Sequence, residues 1–187
     1  VQKGAKPANS KQLNGIWSSL GAKDRGIRHA ARVALEKQPV KNWKKKLSPE
    51  KNPVIASAAM IALARADAQS GASILQKAMT FKYGDLKDRQ QRLDMLRSIT
   101  LALTRGGQPE KQLKSELIGW LDQVYPADTP EENRDLSAQT VRSSSDDSGV
   151  LTMDSLDAYF KRYQNKTTTA GKLYTHSRDH HTLDTRR

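Results

Sequence analysis

Arg28 and Arg32 stand four residues apart in the segment that follows Asp24. On a helix that spacing projects both from one side, where two guanidinium forks can grip carboxylates or phosphates. Lys41, Lys44, Lys45 and Lys46 surround Trp43, and Lys3, Lys6, Lys11, Lys23 and Lys37 lie nearby in sequence. Such a set could form a patch for phosphate backbones, with the indole stacked on a base. The spacing of Trp43 with Val40 and Leu47 points instead to a buried ring whose lysine neighbours solvate the outer face. His176, His180 and His181 include a four-residue spacing that could share a metal ion, but they sit beside Arg178 in a segment expected to be unfolded, with no carboxylate cage around them, so no metal site is expected. His29, among small residues, reads as a half-buried packing histidine. The chain carries no Gly-rich phosphate loop, Gly-x-Ser-x-Gly elbow, His-Glu-x-x-His pair or Walker sequence. We therefore expect no catalytic residue, no cofactor and no enzyme activity.

The 187 residues carry a net charge of +12, from 32 Lys and Arg against 20 Asp and Glu. Residues 1–47 hold 12 basic residues and only Asp24 and Glu36 as acids, a net of +10, whereas residues 48–136 balance to zero and the remainder adds +2. The excess basicity belongs to the N-terminal quarter, and an acidic partner, nucleic acid or an anionic surface would suit it. With no cysteine, the chain can form no disulfide, thiolate nucleophile, cysteine-ligated zinc or cysteine-attached haem. No apolar run approaches the roughly 20 residues of a membrane-spanning helix. The sequence starts at Val1 with neither an initiator Met nor a basic-then-apolar leader, and we read it as a fragment or mature piece of a larger protein.

What must position these residues is a series of helices. Apolar residues recur three and four apart from Leu13 to Val124, with no competing strand alternation. A first helix carries Leu13, Ile16, Trp17 and Leu20 and ends at Gly21. A second starts after Asp24, turns Ile27, Ala31, Ala34 and Leu35 inward, and stops at Pro39. Val40, Trp43 and Leu47 mark a brief helix, and Pro53 opens a longer one with a small-residue face from Ile55 to Ala66. Ile74, Leu75, Ala78 and Met79 define another. Leu93, Leu96, Ile99 and Leu103 define a long one closed by Gly106 and Gly107, and a last spans about Pro109 to Val124, with Leu113, Leu117, Trp120, Leu121 and Val124 inward.

Pairs of these helices recur at roughly 35 to 45 residues, and each has too narrow an apolar stripe to stand alone. The predicted fold is all-α, a short α-solenoid of antiparallel helix pairs of the HEAT or armadillo kind. Residues 1–9 are expected to be a flexible basic N-terminus and 10–136 the repeats. Residues 137–187 are expected to be a divergent, largely disordered tail with one short helix over 153–164.

The run from Ile27 through Arg28, Ala30, Ala31, Arg32, Ala34, Leu35, Glu36, Gln38, Pro39 and Val40 to Trp43 resembles the HEAT-repeat segment of large exported bacterial proteins. Those proteins often also carry a sugar-dehydrogenase-like propeller and a c-type haem domain. Further agreements lie at Ala62 to Arg65, at Gln91 to Arg97, and at Tyr125, Pro126 and Ala127 followed by Asn133 and Leu136. Gly26 departs from the pattern, and after Leu136 the chain leaves it for a Ser- and Thr-rich stretch, read as a divergent or frame-shifted end.

The resemblance covers about residues 13–136 and implies a helical solenoid with no catalytic residue to transfer. It also implies that an Asp at the turn and an Arg on the second helix bridge adjacent repeats, a structural role for Asp24, Arg28 and Arg32. An exported location follows from the resemblance alone. The function expected is a non-catalytic scaffold or protein–protein interaction module that holds a protein partner or neighbouring domains of the parent chain. Its interaction surface would comprise Arg28, Arg32, Lys41, Lys44, Lys45 and Lys46. The alternative is nucleic-acid binding through the basic N-terminal repeats.

Overall fold

The computed structural model describes residues 7–86, 88–124, 127, 129, 131–136 and 139. The short helix expected over 153–164 and the histidines 176, 180 and 181 lie outside them.

Among the described residues all regular structure is helical. Helix α1 (Ser10–Ser19) opens on a capping box in which Asn9 and Gln12 satisfy each other's backbone amides. Helix α2 (Arg25–Glu36) is capped by the Asp24 carboxylate, which accepts from the Ile27 amide at 2.9 Å. The brief helix divides into a 3-10 turn (Val40–Asn42) and α3 (Lys44–Leu47). Helix α4 (Pro53–Ala66) has Pro53 in its first turn, where a missing amide costs nothing, and Asn52 as its cap. Helix α5 (Gly71–Met79) leads to α6 (Arg89–Gly106), capped by Asp88 and ended by Gly107 at φ 77°. Helix α7 (Lys111–Val124) starts two residues later than the periodicity implies, and residues 131–136 and 139 are also helical.

These helices form two layers. One contains α2, α4 and α6, which pack in that order, the α4–α6 interface being the most extensive; the other contains α1, α3, α5 and α7. Short connections make successive helices antiparallel, and α1 packs on α2, α3 on α4 and α5 on α6. The chain is therefore a short α-solenoid, in which each helix is stable only against its neighbours. Helix α4 lies at the centre and buries nearly every position from Ala56 to Ala64. Around it Leu20, Leu35, Trp43, Leu75, Leu96, Leu117 and Leu121 are fully enclosed, each contributing about 1.5–3 kcal/mol of transfer free energy.

The crossing of α5 and α6 uses two glycines. A Cβ on Gly106 would fall 2.9 Å from the Gly71 Cα and 3.0 Å from the Ala68 carbonyl oxygen, so α5 and α6 touch through backbone. Side chains tie the members of the layer of α1, α3 and α5 to one another. Lys77 donates to the Ser48 and Glu50 carbonyls at 2.9 and 2.7 Å while lying over Phe81, and the Trp17 indole donates to Glu50 at 2.9 Å.

Ala66, at the end of the expected α4 face, is exposed, and two larger side chains also differ from the helical-stripe expectation. Ile27 is 53% exposed, where an inward position was expected. It lies about 40° further round the helix than Ala31, away from Leu35. On the inward side of that first turn is the half-buried Arg28, whose Nη1 donates to the Ala22 and Lys23 carbonyls at 2.8 Å. Trp120 is only partly buried: it packs edge-on against Tyr83 and donates to the Phe81 carbonyl at 3.2 Å.

Candidate binding groove

Helices α2, α4 and α6 present the same helical stripe in register. Positions 25, 29 and 32 of α2 correspond to 54, 58 and 61 of α4 and to 90, 94 and 97 of α6, each set spaced i, i+4, i+7. Together with Arg28 these residues line a groove of about 320 Å³. Its first row is Arg25, His29 and Arg32; its middle row is Val54, Ala58 and Ile61; its third is Gln90, Asp94 and Arg97. A cationic wall thus stands beside an apolar floor, with a mixed wall opposite.

Arg32 is the pivot. Its Nη2 lies 3.0 Å from the His29 Nδ1, which must then carry the lone pair, and its Nε lies 3.5 Å from Glu36 in ion-pair range without a hydrogen bond. Glu36 also meets Arg65 of α4 at 3.6 Å, which joins adjacent repeats. Burial holds the Arg32 guanidinium below its ordinary range; Arg65 and Arg97 push the same way, against Glu36 and Asp94. Asp94, the one carboxylate lining the groove, already accepts from Gln90 at 2.9 Å. Positive charge therefore predominates along the groove.

The structure brings Arg28 and Arg32 to this groove and places the lysines elsewhere. Lys46 donates to Asn14 of α1 at 2.7 Å, and Lys44 donates to Ser70 at 2.8 Å beside Asp67, while Lys41 and Lys45 are exposed. All four belong to the layer of α1 and α5. The six cations of the expected surface therefore do not form one patch. Trp43 is wholly enclosed, its indole donating to the Gln38 carbonyl at 3.3 Å, so it offers no face to a base.

His29 is exposed in the groove; its neighbours are arginines, and it does not pack in the core as expected. The bridging expected of Asp24 and Arg28 is made by other pairs: both bind within their own turn, while Glu36–Arg65, Arg89–Glu131 and Arg92–Glu132 join successive helices. Arg25, Gln90 and Arg97 were not singled out by sequence. The shared i, i+4, i+7 register of the three helices was the signal that could have found them.

A second cavity of about 590 Å³ lies where α5, α6 and α7 meet residues 127 and 132. Phe81, Tyr83 and Trp120 wall it, and the fully buried Glu132 accepts there from Arg92 and Thr129. Burial, reinforced by the Glu132 carboxylate, pushes the Tyr83 phenol upward and keeps it protonated. Among the described residues no group of three or more His, Asp or Glu could hold a metal ion, and no helix is long and apolar enough to cross a membrane.

Comparison with protein-family models, with curated proteins and with solved structures finds no match to this chain.

Proposed function

We propose that this chain is a non-catalytic recognition module that holds a protein partner, or a neighbouring domain of a larger protein, on the face formed by α2, α4 and α6. The observation that carries the reading is the register of that face: three successive repeats each contribute one row to one continuous groove. A solenoid creates such a surface because every repeat has the same orientation as the last. The division of the basic residues between two layers supports a protein ligand over nucleic acid, since a phosphate track needs its cations on one side.

Affinity capture with the wild-type chain and with an Arg25→Glu/Arg97→Glu variant tests the reading. A protein identified by mass spectrometry should be retained by the wild type after nuclease treatment and lost by the variant. Retention by both, or loss on nuclease treatment, would refute it.

A further inference from the structure

Resting on that reading, we infer that the groove takes an acidic linear peptide in which an apolar side chain is flanked by carboxylates about five residues apart.

The rows set these requirements. Arg25 and Arg32 on one wall and Arg97 on the other are donors suited to carboxylates, because a guanidinium fork matches the two oxygens of that group. The middle row is different in kind. Val54 and Ala58 are partly exposed above the buried Ile61, so the floor between the charged walls offers apolar surface and no donor. A ligand that is anionic throughout would leave its central charge desolvated against this floor. A ligand with an apolar group there gains by burying it.

Adjacent packed helices lie about 8–10 Å apart, so the axes of α2 and α6 are about 16–20 Å apart; Arg32 and Arg97 interact electrostatically across that gap, whereas Arg25 and Arg97 stand at opposite corners of the groove and set its span. An extended peptide covers that span in five or six residues at about 3.3 Å each. A duplex fits less well: its surface charge repeats along the backbone with no apolar group between phosphates, and the exposed cations Lys41 and Lys45 lie on the other layer.

The probe is a fluorescein-labelled heptapeptide, Glu-Glu-Ser-Leu-Leu-Ser-Glu, titrated with the whole chain by fluorescence anisotropy. Saturable binding is expected, weakened about tenfold or more by Arg25→Gln/Arg97→Gln, the loss expected when a charge-assisted hydrogen bond is removed. The Lys41→Gln/Lys45→Gln variant, with the same charge change on the other layer, should bind as the wild type does. Replacing both leucines of the peptide by serine should also weaken binding. Thermal unfolding of each variant by circular dichroism identifies any loss caused by unfolding, and adding the unlabelled heptapeptide should raise the midpoints of the wild type and of Lys41→Gln/Lys45→Gln but not that of Arg25→Gln/Arg97→Gln.

Three results would overturn the inference: equal affinity for the serine peptide, equal loss in the two double variants, or tighter binding of labelled duplex DNA near physiological salt. Absence of any peptide binding would overturn it too. If the groove-dependent protein capture described above persisted, the recognition-module reading would survive; if the capture also failed, both would fall.

Discussion

Asp67 shows how one side chain links local structure to pH. Its carboxylate is held below the ordinary aspartate range, first by the Ser70 hydroxyl, then by the Gln69 amide and Lys44, against an opposing effect of burial. A carboxyl whose folded value is lowered stabilises the fold above its unfolded value and loses that contribution as pH falls through the folded one. We expect denaturant midpoints to drop as the pH falls through and below the ordinary aspartate range, with Asp67→Asn less stable at neutral pH and flatter across the acid limb. A variant with the same acid dependence as wild type would show that Asp67 is not responsible. Ile27 and Leu35, both expected inward, should separate sharply. Leu35→Ala should cost about 2–5 kcal/mol, whereas Ile27→Ala should stay within about 0.5 kcal/mol, both read from urea unfolding. Local signals such as Asp24, Pro53 and Gly107 were legible because a cap or stop acts within four residues. Ile27 was misread because periodicity defines an arc but not which edge of it a neighbouring helix covers.

At the scale of elements, the glycine crossing separates propensity from packing. Gly106→Ala should favour helix formation by up to about 1 kcal/mol, yet the new methyl would meet the Gly71 and Ala68 backbones, which cannot rotate away. We expect a net loss of about 1–3 kcal/mol in chemical unfolding; a stabilised variant would mean that α5 and α6 can separate without cost. The interface between α6 and residues 131–136 and 139 relies on polar groups. Arg92 meets the buried Glu132, and Gln139 donates to the Leu96 carbonyl at 3.0 Å. Glu132→Ala leaves Arg92 without this carboxylate and should cost about 3 kcal/mol, the low end for a buried pair because Arg92 retains some solvent access. Limited proteolysis should then cut first after Val124; an unchanged cleavage pattern would count against this clamp. Helix existence was largely legible here, but partner choice was not. The charge that binds Arg92 lies forty residues away, beyond the last helix that the periodicity defines.

Across the molecule, stability should grade along the stack, because each repeat is supported only by its neighbours. Helix α4 contacts α2, α3, α5 and α6, whereas α1 has its main contact with α2. Hydrogen exchange should be slowest in α4 and α6 and faster in α1, with terminal openings below the global unfolding free energy. Uniform protection would indicate a single cooperative globule instead. The solenoid class was readable from helix spacing, but the groove was not, since no single segment contains it. Counting charge by segment even obscured it: residues 48–136 sum to zero, which hides Arg97 among acids of which, in the described residues, Asp94 alone lines the groove. The shared register also makes the surface modular. Inserting one more helix pair would lengthen the trough by about 9 Å, enough to accommodate roughly three additional ligand residues. The existing rows would keep their contacts, so selectivity could be extended or rewritten one repeat at a time.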